Sequence, residues 1–364
     1  MSPTRSASPP WWPVLLVATV GALLLAAVGA PSPILFGALF GSLALAVSPV
    51  DTPVLPKRLS VLAQGLLGVS IGGIIDPQTL ARFAEHALPV SVAVVLTVVV
   101  SIVVGQVLRL QGVGRATATF SFLAGGASGV TAIAGELGAD DRVVAMVQYL
   151  RVLLIIVGMP LVATFVFDVP LLSPQAGLTG VVAGVASAVT SVTAGSLFFS
   201  AVCLGVGLAM ARVVPLPAGA LLLPLAVAAA ASVTGVLAPL GDDLGLPSLL
   251  EAFAFALIGM QVGLRFTRAS LRQVAAVLPL ATAGIVVVVA LSAGIGIVFA
   301  DAMGMSHLDA YLATTPGGLW AVLVTATVAG GDVTLVLAVQ VVRLLLVLAL
   351  APIISAHYRR FRDG

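Results

Sequence analysis

The sequence predicts an all-α polytopic membrane protein with two homologous, inverted repeats, about ten spans and two Gly-Gly segments that form re-entrant or broken helices. Of the 364 residues, 60% are hydrophobic and 8% are charged, whereas soluble domains carry about 25% charged residues. Residues 6–50 and 169–211 contain no charged side chain. Such stretches suit helices that cross a hydrocarbon layer of roughly 30 Å, and the alternation of barrel strands is absent. An internal duplication predicts the two repeats.

The duplication is clearest between residues 124–152 and 316–344, which align without a gap at a shift of 192 positions (343 − 151). Rare residues coincide across this shift while apolar residues drift. The coinciding pairs are Gly125 with Gly317, Gly126 with Gly318, Asp140 with Asp332, Gln148 with Gln340, and Arg151 with Arg343. We therefore assign a first membrane repeat to 11–167, a Ser/Thr/Gly-rich linker to 168–195, a second repeat to 196–356, and a basic cytoplasmic tail to 357–364.

The apolar segments predict six helices in each repeat. In the first repeat they lie near 13–29, 33–49, 59–75, 88–108, 118–136 and 142–166, and in the second near 196–212, 218–237, 249–264, 274–299, 311–329 and 333–356. The first segment could also be a cleaved signal peptide. Trp11 and Trp12 favour a spanning helix instead, because tryptophan is enriched at membrane interfaces.

Positively charged loops stay in the cytoplasm and decide between two topologies. Twelve full crossings would make the repeats parallel and place Arg265, Arg268 and Arg272 outside. If each Gly-Gly segment enters the membrane and returns on the same side, ten crossings remain and the second repeat is inverted. These arginines then lie inside. We therefore predict ten crossings with both termini in the cytoplasm.

Pro316, Gly317 and Gly318 interrupt a segment that is otherwise helical, and Gly125 and Gly126 stand at the matched positions of the first repeat. Uncoiled backbone at membrane depth is tolerated only where protein buries it or water reaches it. Broken helices that meet near the midplane are typical of secondary transporters. The alternative is close helix packing, which small residues permit.

A polar stripe follows each Gly-Gly segment. Asp140, Gln148 and Arg151 are spaced 8 and 3 residues apart, as are their counterparts in the second repeat. This spacing puts them on one helix face, with the Asp at an N-cap position and the Arg about 15 Å further along, near mid-bilayer. A buried arginine needs a partner or an aqueous cavity. Either the two arginines lock the halves together, or they bind an anion such as a carboxylate or phosphate together with freed glycine N–H groups.

The sequence thus gives two groups of candidate residues. The candidate substrate-binding residues are Gly125, Gly126, Ser128, Gln148 and Arg151 in the first repeat and Pro316, Gly317, Gly318, Gln340 and Arg343 in the second. The candidate coupling or structural acids are Asp140 and Asp332. Ser128 has Trp320 as its counterpart, so the two halves are not identical here.

Several functional classes lack support. No nucleophilic triad, HExxH or phosphate-binding loop is found, so no enzyme is expected. Cys203 is the single cysteine and the three histidines are far apart, so no metal or other cofactor is predicted. A net charge of +2 does not suggest nucleic-acid binding.

The duplicated unit, [A/P]GG followed by GxD and then QxxR, resembles the AbrB-duplication family of bacterial inner-membrane proteins over residues 13–356. Members of that family carry labels of ammonia monooxygenase or of regulator of gene expression. This chain lacks the copper ligands of an oxygenase, and it has Ala124 where the second repeat has Pro316. The resemblance implies a bacterial inner-membrane location. More distantly, the predicted architecture resembles that of citrate- and glutamate-type symporters, from which a substrate does not transfer.

These observations lead us to expect a secondary-transporter-like protein that moves a small anionic solute by alternating access. Its expected partners are the lipid bilayer, the solute, a coupling ion and, from the architecture alone, a second copy of the chain. The alternative is a membrane protein with an indirect role in the regulation of gene expression and no transport activity.

Overall fold

The computed structural model describes residues 9–28, 30, 32–75, 78, 85–123, 139–169, 192–214, 216, 218–236, 245–317 and 319–360. These residues are helical, with short connections. The α-helices are α1 (Trp12–Ala27), α2 (Pro33–Val47), α3 (Lys57–Gly73), α4 (Ala87–Gly105), α5 (Arg115–Phe122), α6 (Asp141–Phe167), α7 (Ala194–Val213), α8 (Gly219–Thr234), α9 (Ser248–Gly263), α10 (Arg268–Gln273), α11 (Leu278–Phe299), α12 (His307–Thr314), α13 (Leu319–Ala329) and α14 (Val333–Arg360). Short 3₁₀ helices cover Gln106–Gln111 and Asp301–Met303.

Among the described residues, four helices are long and apolar enough to cross a membrane: Ala87–Gln111, Asp141–Phe167, Ala194–Val213 and Leu278–Phe299. Shorter apolar helices accompany them, among them α1, α2, α8 and α9. Large apolar side chains on α4, such as Leu88 and Val103, are exposed, which suits contact with lipid rather than water. The chain is an all-α membrane protein. That the chain crosses the membrane ten times stays a prediction.

Most predicted helix bounds agree with the structure within a few residues, and four differ. The segment predicted at 311–329 consists of two helices, and the first of them, α12, begins at His307. The segment predicted at 274–299 is preceded by a separate short helix, α10, and itself begins at Leu278. The segment predicted at 118–136 begins earlier, at Arg115, and its part after 123 lies outside the described residues. Helix α14 continues to Arg360, so the tail predicted from 357 begins inside a helix. Most of the predicted linker, 170–191, also lies outside the described residues.

The second Gly-Gly segment is a broken helix that returns to the end from which it starts. Helix α12 runs inward from His307, the chain breaks after Thr314, and α13 runs back from Leu319 to Ala329. Asp332, just after α13, donates its main-chain N–H to Oδ1 of Asp309 in the first turn of α12, at 2.7 Å. We call residues 307–329 the hairpin.

The residues on either side of the first Gly-Gly segment make an equivalent contact. Its residues 124–138 lie outside the described part of the chain. The main-chain N–H of Asp140 donates to Oγ1 of Thr117 at 3.0 Å, so α6 begins beside the first turn of α5. Thr117 and Asp140 stand 192 positions before Asp309 and Asp332.

Helices at equivalent positions of the two halves run antiparallel. Ser60, near the start of α3, donates its hydroxyl to Gln261 near the end of α9, at 2.6 Å. Ser70, near the end of α3, donates to Glu251 in the first turn of α9, also at 2.6 Å. Positions 60 and 70 lie 191 before positions 251 and 261, so the two contacts are reciprocal.

Helices α4 and α11 show the same relation. A Cβ on Gly304, just after α11, would lie 3.1 Å from the ring of His86, which precedes α4, and a Cβ on Gly284 would lie 3.7 Å from Val104 near the end of α4. The hairpin therefore enters from the end where α4 begins. We call this the acidic end, and the opposite end, where α3 begins and α9 stops, the basic end. Helix α5 enters from the basic end.

The helices form two bundles, and each bundle takes helices from both halves of the chain. The first, which we call the six-helix bundle, contains α1, α2, α3, α7, α8 and α9. The second, which we call the hairpin bundle, contains α4, α5, α6, α11, α12, α13 and α14. The short helix α10 connects the two bundles and contacts α6. The halves identified in the sequence therefore interleave in space.

Close glycine contacts hold the six-helix bundle together. Gly68 and Gly72 of α3 lie against the main chain of α8, and Gly259 and Gly263 of α9 lie against the main chain of α2. A Cβ on Gly72 would lie 2.3 Å from the carbonyl oxygen of Leu225. Because small residues let helix backbones approach in a membrane, these positions set the distance between the halves.

We expect Gly72→Ala to destabilise the protein and Gly73→Ala to leave its stability almost unchanged. The added methyl at position 72 would collide with main-chain atoms, whereas nothing lies within 4 Å of a Cβ at position 73. Overpacking of this kind costs about 1–3 kcal/mol. Thermal unfolding of both variants in the same detergent measures the difference, and equal unfolding temperatures would contradict the close contact.

Candidate functional site

Helices α5 and α12 both end inside the hairpin bundle and leave main-chain carbonyls without helical partners. Each has eight residues and is followed by a residue with extended ψ, Leu123 at 115° and Thr315 at 125°. Thr315 precedes Pro316, and a residue before proline is disfavoured in the helical region. In a membrane interior these carbonyls need donors, because water is scarce.

Two glutamine side chains supply donors at matched positions. Nε2 of Gln148 donates to the carbonyls of Phe120 and Leu123, at 2.8 and 2.9 Å. Nε2 of Gln340 donates to the carbonyls of Leu312, Ala313 and Thr315, at 3.2, 2.9 and 3.2 Å. Both side chains are buried. Each glutamine thus ties the end of a broken helix to the long helix that follows it.

Two arginines complete the same contacts. Nη1 of Arg151 donates to the carbonyl of Phe122 at 3.0 Å, and Nη2 donates to Oε1 of Gln148 at 2.5 Å. Nη1 and Nη2 of Arg343 donate to the carbonyls of Thr315 and Gly317, at 2.8 and 3.1 Å. Nη2 of Arg343 also donates to Oε1 of Gln340. The guanidiniums therefore lie at the carboxyl ends of α5 and α12, where the helix dipole favours a cation.

The two guanidiniums are buried, and Arg343 binds a segment that packs beside the helix of Arg151. Arg151 is 3% exposed and Arg343 is 4% exposed. Gly317, whose carbonyl Arg343 binds, lies against Ile155, one turn after Arg151 on α6, because a Cβ on Gly317 would lie 3.1 Å from that side chain. In the described part of the chain no carboxylate pairs with either. Asp309, the one buried acid there, lies beside Asp332, about 15 Å along α14 from Arg343. The Nε of each guanidinium has no hydrogen-bond partner among the described residues.

Other unpartnered polar atoms lie in the same bundle. Within the described chain, the buried side-chain atoms that lack a partner are Nε of Arg151, Nε of Arg343, Oγ of Ser121 and Oγ of Ser292. These residues belong to α6, α14, α5 and α11. Buried polar groups are nearly always hydrogen-bonded. The hairpin bundle therefore contains buried polar atoms whose hydrogen bonds are not made by its described residues.

Asp140 and Asp332 begin helices. Oδ1 of Asp140 accepts the N–H groups of Arg142 and Val143, at 3.0 and 3.3 Å, and Oδ1 of Asp332 accepts the N–H of Leu335 at 3.1 Å. These are N-cap contacts, which satisfy N–H groups that have no partner within the helix. The described contacts give both acids a structural task.

The structure adds one matched pair that the polar stripe does not contain. Thr117 and Asp309 each bind the main-chain N–H of the N-cap aspartate that follows. Asp309 also accepts the hydroxyl of Ser306 at 2.6 Å. The same shift of 192 positions relates Thr117 to Asp309, but the residue types differ, so a comparison of identical residues misses the pair.

The predicted site residues are only partly within the described chain. Gln148, Arg151, Gln340 and Arg343 form the matched contacts above, and Pro316 and Gly317 lie at the break of the hairpin. Gly125, Gly126, Ser128 and Gly318 lie outside the described residues. Among the described side chains, no group of three His, Cys, Asp or Glu residues could hold a metal ion.

Fold and site together define a class: an all-α membrane protein in which two short helices end inside a bundle and are held there by buried Gln-x-x-Arg motifs. A family model described as "Transition state regulatory protein AbrB" matches residues 34–359. The chain is 30% identical over 343 residues to "Putative regulator AbrB" of Escherichia coli (strain K12), with 90% of each chain covered. It is 25% identical over 305 residues to "Uncharacterized protein YhjN" of Bacillus subtilis (strain 168), covering 81% of this chain and 77% of that one. The chain belongs to the AbrB family, as its sequence motifs predict.

We expect Gln340→Leu to lower stability, because the carbonyls of Leu312 and Ala313 would lose their side-chain donor. An unsatisfied buried group costs about 1–3 kcal/mol. The matched control is Gln273→Leu on α10, where the side chain is exposed. Unfolding temperatures in detergent compare the two, and an equal effect at both positions would contradict the capping contact.

Substitution of the two N-cap acids separates a structural task from a coupling task. Asn caps helices about as well as Asp, whereas Ala costs about 1 kcal/mol. We therefore expect Asp140→Asn and Asp332→Asn to retain stability and function, and both Ala variants to unfold at lower temperature. Loss of function in a stable Asn variant would instead assign the acid a role in ion coupling.

Proposed function

We propose that this AbrB-family membrane protein is a secondary transporter for a small anionic solute. The observation that carries the proposal is the pair of buried guanidiniums at the broken helices, with Nε–H groups that no described residue accepts. A charge at this depth costs at least about 2.5–3.5 kcal/mol on insertion scales and marks a functional site by default. An anion would satisfy both the charge and the free donors.

The chemistry of arginine suits this task. Its planar guanidinium has five donors, of which the Nη groups hold carbonyls and Oε1 of the neighbouring glutamine. The edge that carries Nε–H stays available for a carboxylate or phosphate oxygen. The same side chain can thus fix the broken helix and bind a ligand. In this proposal the two interpretations of the sequence, a structural and a binding arginine, both hold.

The proposed path runs between the two bundles. Helix α5 and the hairpin enter the hairpin bundle from opposite ends, and two inverted halves would make their surroundings alike. Movement of the hairpin bundle against the six-helix bundle would then open the site to one side and afterwards to the other. The contacts α6 makes with α9 and α10, and α13 makes with α3, lie at this boundary. At the same boundary, Arg265 stacks over the ring of Tyr149, with 5.0 Å between its Cζ and the ring centroid.

We propose that the basic end faces the cytoplasm of a bacterial cell. By position along their helices, the described lysine and arginine side chains lie at this end, apart from Arg151 and Arg343: Lys57, Arg58, Arg109, Arg115, Arg142, Arg212, Arg265, Arg268 and Arg272. The acidic end carries Glu85, Asp168, Glu251, Asp301, Asp309 and Asp332, whereas Asp51, Asp140 and Asp141 lie at the basic end. Arg82, which follows α3 in the sequence, lies outside the described residues. The bias supports cytoplasmic termini in an inner membrane.

A role in gene regulation is the second candidate, and the names of the family and of the Escherichia coli relative favour it. The carbonyl contacts of the arginines are also compatible with a purely structural role. Under this candidate, the anion site is absent and any effect on transcription is indirect.

We expect purified protein in liposomes to take up labelled small carboxylates, and Arg343→Ala to lose most of that uptake. The alanine variant removes the guanidinium and its Nε–H. Circular dichroism and size-exclusion chromatography show whether the variant is folded. Arg142→Ala, in which an exposed arginine is removed from the first turn of α6, is the matched control. A folded Arg343→Ala protein with unchanged uptake would refute the proposed site, and absence of uptake in the wild type would favour the regulatory candidate.

A further inference from the structure

The charge balance around Arg151 and Arg343 restricts the kind of anion that the site can hold. Each guanidinium lies at the carboxyl end of an eight-residue helix, α5 or α12. The carboxyl end of a helix carries about −0.5 of an elementary charge. Two guanidiniums and two such ends leave about one positive charge, and the amino end of α13, which begins at Leu319 beside the same break, adds about half a charge more. No described carboxylate lies beside the guanidiniums to remove it, because Asp309 is bound at the acidic end.

The open donors restrict the ligand in a second way. One Nε–H on each arginine is unpartnered, and the two arginines stand at equivalent positions of halves that run in opposite directions. A ligand shared between them therefore needs two acceptor atoms that are alike and close together. The two oxygens of one carboxylate meet this requirement, and hydrogen bonds between charged partners are about twice as strong as neutral ones.

We propose, building on the transport function above, that the ligand is a small monocarboxylate. One oxygen accepts from Nε of Arg151 and the other from Nε of Arg343. A single negative charge neutralises most of this positive charge. A dicarboxylate or sulfate would bring a second negative charge, for which the described residues offer no further unpartnered charged donor. A buried charge without a partner is costly in a medium of low dielectric constant.

The geometry also separates a carboxylate from a halide. Chloride would neutralise the same charge, but because it is spherical, its binding does not depend on the direction in which the two donors point. Each arginine offers one Nε–H in a direction that its Nη contacts fix, whereas the ammonium group of lysine has no donor fixed in this way. Arg→Lys substitutions therefore test the geometry while the charge is kept.

The first experiment uses wild-type protein in detergent and titrates propionate, succinate, sulfate and chloride at pH 7 and constant ionic strength. Binding is read by isothermal calorimetry and by the shift of the unfolding temperature. We expect propionate to bind at least tenfold more tightly than any of the other three anions. Tighter binding of succinate or sulfate would overturn the monovalent assignment, and equal binding of chloride would overturn the carboxylate.

The second experiment compares Arg151→Lys and Arg343→Lys with Arg142→Lys, a matched control on the surface of α6. We expect each buried substitution to weaken propionate binding at least tenfold and the control to leave it unchanged. Unchanged binding in both buried variants would overturn the shared contact. If the buried variants do not fold, the wild-type titration decides alone.

Uptake into liposomes distinguishes this inference from the function on which it rests. Binding of propionate without uptake would support the monocarboxylate site and contradict transport. Uptake of succinate or sulfate without binding of propionate would support transport and overturn the monocarboxylate site. Uptake of propionate together with its binding would support both the monocarboxylate site and the transport function.

Discussion

Every main-chain polar group at membrane depth needs a hydrogen-bond partner, and this requirement shapes the centre of the protein. A continuous helix meets the requirement by itself, whereas α5 and α12 stop inside the bundle and leave carbonyls open. Gln148 and Gln340 donate to these carbonyls through Nε2, and Arg151 and Arg343 donate through their Nη groups. The long helices α6 and α14 therefore support the breaks. Without these four side chains, uncoiled backbone here would cost several kcal/mol for each open group.

The same solution creates a second problem, because it buries two like charges. The arginines donate to two carbonyls, those of Phe122 and Gly317, that the glutamines do not reach, but a neutral donor could satisfy these carbonyls as well. Capping alone therefore does not require the charge of the guanidiniums. Their Nε–H groups stay without described partners, and no described acid neutralises them. A folded site with an unneutralised positive charge suits an anion that binds and dissociates.

The way in which the halves meet gives this site its surroundings. Helix α3 packs on α8 and helix α9 packs on α2 through glycines at matched positions, so the six-helix bundle is built across the two halves. The hairpin bundle likewise takes α4 to α6 from one half and α11 to α14 from the other. The helices that carry the two guanidiniums, α6 and α14, begin at opposite ends, and each arginine lies about 15 Å from the start of its helix. Interleaving of this kind cannot be inferred from the order of helices along the chain.

The sequence alone determined the helical membrane class, most helix bounds, the matched Gln-x-x-Arg motifs and the N-cap positions of Asp140 and Asp332. These features follow from local properties: apolar length, residue spacing along a helix, and the cost of burying a charge. Only the tertiary structure decided which atoms the motifs contact, that Thr117 and Asp309 bind the following N-caps, and that the halves interleave. Those outcomes depend on which helices approach one another, and the approach is set by close packing among residues far apart in the chain. An apolar sequence offers many such pairings with nearly equal local propensity, so only the packed fold selects one of them.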